Sequence, residues 1–269
     1  PAEFDEAMIA YASDGYDLIF AHGFEYQDAA IRVGAIFPET TIIVSSGGRI
    51  APNVIPLRFK LEEGSYMAGI TAGMMTATGI VGMVGGVPIP PAEGTFLGFE
   101  AGARLVNPDV EVLVTWLGSW DDVASAKEAA VAMMRRGADI LIHNTDAASF
   151  GVFQAVRQAR DAGDDVWAMG MNRDQNDVFP EVILGSAVLR IPEAFLTVAQ
   201  RWRSGELPPG EPYFAGGATR AADYVVNPVL RDRYSPELRA RLEAVRMGIR
   251  DGIIDVPRVE FMETGDSSP

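Results

Sequence analysis

TATGIVGMVGG, residues 76–86, is the stretch whose reading decides the fold. Before it runs EEGSYMAGITAGMM (62–75), a helical segment in which Gly69 and Gly73 permit close packing. After it come a proline-containing loop (87–95) and a second helical run, FLGFEAGARLVNP (96–108). IVGMVGG reads as a buried strand that restarts a series of βα units partway along the chain. Such a restart predicts two similar lobes with a ligand cleft between them.

Working outward, short apolar runs alternate with amphipathic helical segments. YDLIFAH (16–22), TTIIVSS (40–46), the short alternating VIPLRF (54–59), VEVLVTWL (110–117), ADILIHN (138–144), DVWAMGM (165–171) and VILGSAV (182–188) read as strands. Helices are expected over 2–12, 26–36, 62–75, 95–105, 123–136, 150–162 and 192–204. Strands alternating with helices of this length imply parallel sheets covered on both faces. The expected architecture is α/β: a two-lobed, periplasmic-binding-protein-like (type I) fold, each lobe a doubly wound parallel sheet. Lobe 1 is expected to hold residues 1–78 and 189–222, and lobe 2 residues 79–188 and 223–269. The first crossing is expected near 76–80 and the return near 188–192. A further strand–helix unit is expected ahead of Pro1.

Composition narrows the function classes. The 269 residues are 48% hydrophobic and 22% charged, enough for one large domain or two lobes. A net charge of −15 disfavours nucleic-acid phosphates and anionic membranes as partners. With no cysteine, disulfide and thiol chemistry are excluded. No apolar run reaches the ~18 to 20 residues that span a bilayer.

In doubly wound sheets, ligands bind beyond the carboxyl ends of the strands. That rule selects the loops 22–28, 45–53, 87–95, 118–122, 143–149 and 171–177. Within them, Trp120 in SWDD offers a flat face for a planar ring, or packs the lobe. Phe24 in HGFEYQD offers an opposing ring, or packs beneath its loop. Asn144 and Asp146 in HNTDAAS could pair with ring nitrogens or hydroxyls, and Asp146 could instead cap the following helix. Asp121 or Asp122 suits a helix N-cap. Arg58 could meet an anionic group or form a salt bridge. Trp116, Trp167 and Trp202 read as packing residues.

Catalytic signatures are missing. His22 and His143, the two histidines, lie at strand ends without metal-ligand spacing and read as structural or ligand hydrogen-bonding groups. Gly82, Gly85 and Gly86 form no dinucleotide fingerprint and read as a site of tight backbone crossing. No catalytic residue, metal or cofactor is called for, and the chain is expected not to be an enzyme. The carboxylates Asp121, Asp122, Asp146 and Asp174 keep a nucleoside-hydrolase-like alternative open.

The order and spacing of several motifs resemble one family across about residues 17–257. EEGSYMAG, the TATG lead, GFEAGARLVNPDVEV, SWDD followed by AKEAA (127–130 covering KEAA), RRGADILIH and RDGIIDVP are similar to the BMP, or PnrA-like, substrate-binding lipoproteins of ABC importers. The resemblance implies capture of a small planar ligand, a purine nucleoside or nucleobase, and delivery to an ABC permease in the membrane. It implies an exported, periplasmic or cell-surface lipoprotein acting as a monomer, here in mature or trimmed form. It also places GMNRDQND (170–177) where the family reads G-x-D-x-D-Q. Asn172 stands at the first acidic position, while Asp174 and Gln175 are kept. A carboxylate accepts from two ribose hydroxyls, whereas an amide has one acceptor oxygen. Ribose binding is therefore not carried over. A ligand-sensing domain of a receptor or regulator is the alternative on the same fold.

Overall fold

The computed structural model describes residues 2–261 and 263–264. The chain divides into two compact units. One comprises residues 1–60, 191–215 and 260–269, and the other residues 61–190 and 216–259. Strands and α-helices are numbered below in chain order.

The smaller unit opens with α1 (Ala2–Ser13) and continues through β1 (Leu18–His22), α2 (Gln27–Ile36), β2 (Thr41–Ser45), β3 (Arg49–Ile50) and β4 (Val54–Phe59). Its remaining elements come from the two later segments. Its main sheet is all parallel, in the order β1-β2-β4-β10, where β10 is Tyr213–Ala215. The helix between the units' segments, α7 (Ile191–Arg203), belongs here; its Phe195 stacks on Phe20 of β1 at 4.6 Å. Ala29, Ala30 and Val33 of α2 pack with Ile19, Ala21, Ile42 and Val44 into an aliphatic core. VIPLRF reads as alternating in sequence, yet all six residues are buried in β4, an interior strand of the sheet. Two further strands pair apart from this sheet: β12 (Glu263–Thr264) lies parallel to β3.

The larger unit holds a six-stranded sheet in the order β11-β9-β8-β7-β5-β6. Its strands are β5 (Ile80–Gly85), β6 (Glu111–Trp116), β7 (Ile140–Asn144), β8 (Trp167–Asn172), β9 (Ile183–Leu189) and β11 (Ala222–Val226). Five run parallel; β11 pairs antiparallel with β9, a departure from the all-parallel expectation. The helices are α3 (Leu61–Met75), α4 (Pro90–Val106), α5 (Val123–Arg135), α6 (Ser149–Asp161) and α8 (Pro236–Arg250). Helix α4 starts five residues earlier than the proline-containing loop suggests. Pro90 and Pro91 sit in the first turn, where no intrahelical N–H is needed.

Small residues set how α3 and α4 meet. A Cβ on Gly69 would strike the Phe99 carbonyl, and one on Gly102 the Tyr66 carbonyl. Backbone thus lies against backbone along this helix pair, and α3 is buried from Leu61 to Gly73. Because α3 packs on α4, β9 and β11, it belongs to the larger unit. The first chain crossing falls at Lys60–Leu61, not near 76–80, whereas the return falls at Arg190–Ile191, inside the expected 188–192. TATG has a separate job. The buried Asp139 carboxylate accepts from Thr76 Oγ1 at 2.7 Å, Ala77 N at 2.6 Å and Thr78 N at 3.0 Å, fixing the turn that feeds β5.

Candidate functional site

The carboxyl edge of the six-stranded sheet gathers four of the six residues singled out from sequence. Strand β5 ends at Gly85 and is followed by Gly86, and the two leave room for two indoles. A Cβ on Gly85 would enter the Trp116 ring, and one on Gly86 would enter the Trp120 ring. These glycines accommodate rings, not a backbone crossing. Trp116 stacks on Phe96 at 4.6 Å and is a packing residue, as expected. Trp120 is half-buried. Its carbonyl accepts from Asp146 N and Ala148 N, both at 3.1 Å, tying the loop after β6 to the loop after β7.

Amides line the next strands. Asn144 is buried; its backbone carbonyl accepts from Gly86 N at 2.9 Å and its Nδ2 donates to Thr95 Oγ1 at 2.9 Å. Thr95 in turn donates to the Ala92 carbonyl at 2.7 Å. Asn144 Oδ1 is thereby set as an acceptor, and Asn172 Nδ2 approaches it at 3.4 Å. Asn172 is half-buried and has φ 71°, a left-handed conformation that asparagine tolerates better than most residues.

Beneath this edge lies a fully satisfied polar scaffold. His143 Nε2 meets Gln175 Oε1 at 2.8 Å, and Gln175 Oε1 also accepts from Met171 N at 3.0 Å. Two donors on one carbonyl oxygen place the imidazole proton on Nε2, leaving Nδ1 to accept from Thr145 N at 3.2 Å. Burial pushes the His143 pKa down to about 4, against the opposing pull of the Gln175 bond. Gln175 N donates to Ser186 Oγ at 3.1 Å, and Ser186 donates to Asn176 Oδ1 at 3.0 Å. His143 and Gln175 therefore hold the ends of β7 and β8 in register.

The two remaining candidates sit elsewhere. Asp174 is exposed, accepts from Asn176 N at 3.0 Å, and lines a cavity of about 400 Å³ with Asp177, Asn227 and Val229; neither Trp120 nor Asn144 lines it. Phe24 belongs to the smaller unit, in a 3₁₀ turn (Phe24–Tyr26) after β1, and meets Phe261 edge-on at 5.9 Å. Asp122 caps α5, accepting from Ser125 N at 3.0 Å and Ser125 Oγ at 2.7 Å; the Ser125 backbone bond draws its pKa below the usual carboxylate value. Asp146 is not the α6 cap: that position is Ala148. The other indoles pack: Trp167 lies under the Arg160 guanidinium at 3.5 Å, and Trp202 Nε1 donates to Thr41 Oγ1 at 3.0 Å.

Sequence reasoning passed over Thr95, whose role is visible only through its bond to Asn144. It also passed over Ser45, which accepts from Gly23 N at 3.0 Å and meets His22 Nδ1 at 2.6 Å. Serine at a strand's carboxyl end was the available signal. Among the described residues, no group of three or more His, Asp or Glu side chains is arranged to hold a metal ion. No helix among them is long and apolar enough to cross a membrane.

Two α/β units, with polar and aromatic side chains at the strands' carboxyl ends, define the type I periplasmic-binding-protein class. Solved structures agree on the fold. A solute-binding protein from Aeropyrum pernix K1 superposes with a TM-score of 0.82 at 22% identity, covering 94% of this chain and 80% of that one. A transcriptional activator of the comK gene from Bacillus halodurans gives 0.78 at 24%, covering 94% and 84%. The chain belongs to the family of PnrA-like ABC transporter substrate-binding proteins, which it matches over residues 4–243. It is 32% identical over 187 residues to a purine-binding protein of Brucella abortus, covering 70% of this chain and 51% of the relative. It is 30% identical over 254 residues to a CD4+ T-cell-stimulating antigen of Listeria monocytogenes, covering 90% and 70%. The match thus spans about half the length of the Brucella relative.

Proposed function

We propose that this protein captures a purine-like planar solute at the carboxyl edge of its six-stranded sheet and presents it, outside the cytoplasm, to an ABC permease. One observation carries the reading: the Trp120 indole lies against Gly86, whose N–H bonds the carbonyl of Asn144, and the Asn144 side chain is met by the Asn172 amide. An indole face stacks on a flat ring, and base–aromatic stacking contributes ~1 to 3 kcal/mol. Amide side chains present a donor and an acceptor side by side, the pattern a nucleobase edge matches. Asp146 lies on the loop tied to Trp120. Asn172 in place of an acid favours a free base over a ribose-bearing ligand. The Brucella purine-binding relative supports the ligand class.

Binding without conversion is the corresponding chemistry. The buried imidazole of His143 is engaged with Gln175 on one side and on the other with Thr145, whose N–H and hydroxyl each lie 3.2 Å from Nδ1, and burial keeps this group in the scaffold beneath the edge. The test is a thermal-shift screen of nucleobases, nucleosides, flavins and sugars, followed by product analysis of each hit. A ligand at a hundredfold excess over its Kd stabilises the folded state by about 2.7 kcal/mol. Turnover of a hit overturns the receptor reading. Stabilisation by a sugar alone overturns the ligand class.

A sensory role without a permease is the second reading. It is favoured by relatives described as transcriptional activators, one of them from Bacillus subtilis at 29% identity over 200 residues. A permease and an ATPase encoded beside this gene would decide for transport.

A further inference from the structure

The carboxyl edge of the four-stranded sheet in the smaller unit carries a seat for a flat ring, and part of the chain sits in it. Arg58, in β4, is 5% exposed, and its Cζ lies 3.6 Å from the centroid of the Phe261 ring. Phe24 closes on the same ring edge-on, with centroids 5.9 Å apart and planes at 66°. Gly48 supplies the floor. A Cβ there would strike the Phe261 carbonyl and lie 2.7 Å from Cδ2 of its ring. The segment is anchored just beyond by β12 on β3, with Glu263 opposite Arg49 and Thr264 opposite Ile50.

Nothing in this seat is particular to phenylalanine. A flat cation under the ring face, an aromatic edge beside it and bare backbone below suit any electron-rich planar ring. The seat also lies where the strand-end rule puts a ligand, at the ends of β1, β2 and β4. We propose that Phe24, Gly48 and Arg58 form a binding site for a neutral heteroaromatic ring, and that Phe261 fills it as a tethered stand-in that competes with the ligand. This rests on the reading of the protein as a receptor for planar solutes.

Competition has a defined signature. A site open only part of the time binds with an affinity reduced by that fraction. A tethered competitor stays at high effective concentration however dilute the protein. Removing the ring opens the site without touching Arg58, Gly48 or Phe24. Phe261→Ala and Phe261→Leu in the full chain should each bind the nucleobase hit about tenfold more tightly than wild type in calorimetry. Phe261→Tyr, which keeps a flat ring, should bind like wild type. Adding Phe24→Ala to Phe261→Ala should abolish the gain. Urea unfolding of each variant reports whether the fold is kept, and the two ring-removing variants check one another. Wild-type binding with an equal or lower affinity in both of them overturns the competition and leaves the solute reading standing. No binding of any planar compound by any form overturns both.

Discussion

Lowering the pH from 7 to 4 should cost this protein stability through one side chain. His143 is fully buried, its Nε2 proton is held by Gln175, and its Nδ1 faces the Thr145 N–H. Its pKa falls from 6.5 to about 4 on folding because burial penalises the imidazolium. Between those values the unfolded chain binds a proton that the folded chain refuses. This contribution to stability is therefore complete above the unfolded pKa and is lost progressively as pH falls towards the folded one. From the two pKa values the loss is about 2 kcal/mol at pH 5 and about 3 kcal/mol at pH 4. Urea unfolding at pH 7, 6, 5 and 4, on wild type and on His143→Asn, measures it. The variant starts less stable at pH 7 because Gln175 loses its partner. Its loss between pH 7 and 4 should be smaller than wild type's by about 3 kcal/mol. Equal losses in the two proteins would refute the argument, as would an NMR titration of the His143 imidazole with a midpoint near 6.5.

Four substitutions probe the sheet edge and the core. Trp120→Ala should weaken binding of the planar ligand by about 1 to 3 kcal/mol in calorimetry; an unchanged affinity with the fold intact would make Trp120 a packing residue only. Gly86→Ala places a methyl group in the Trp120 ring, so it should reproduce most of that loss, and a wild-type affinity would show that the indole has another productive position. Asn172→Asp should raise the preference for nucleoside over free base, and a wild type that already favours nucleosides would contradict it. In the core, Gly69→Ala forces α3 away from the Phe99 carbonyl and should lower unfolding stability by about 1 to 3 kcal/mol in urea melts, without altering ligand preference.

The parts legible from sequence are those with local causes. Apolar runs with little alternation, such as ADILIHN (138–144) and VILGSAV (182–188), read as buried strands, and β7 and β9 are interior strands of the larger sheet. Asp121 or Asp122, followed by a helical run, read as a cap, and Asp122 is the one. What escaped depends on distant neighbours. VIPLRF read as a short alternating strand, but it is buried along its whole length, an interior strand with both edges paired, by β2 and β10. Helix α3 read as part of the first lobe because it follows it in sequence; its packing partners Phe99, Ala103 and Asp223 lie far downstream. Helix α8 went unassigned although Ser235 caps it and Pro236 opens it, both signals of a start. At the site, strand-end position brought Trp120, Asn144, Asp146 and Asn172 to one edge. Phe261 offered no signal, since an isolated aromatic outside every expected strand and helix says nothing about where it packs.

The segment order of the smaller unit has a consequence for synthesis. Strand β4, buried along its whole length, pairs with β2 on one side and with β10 on the other. β2 emerges just before it, but Tyr213–Ala215 emerges only after most of the larger unit has been made. Until then one row of β4 backbone donors and acceptors is open beside an apolar face, the condition under which strands pair with the wrong chain. In the larger unit the five parallel strands lie within residues 61–190, and β9 waits only from Leu189 to Ala222 for its partner β11, a far shorter stretch of chain. Chains shortened before Tyr213 should therefore aggregate through β4, and a nascent chain at that stage is a client for holding factors until β10 arrives.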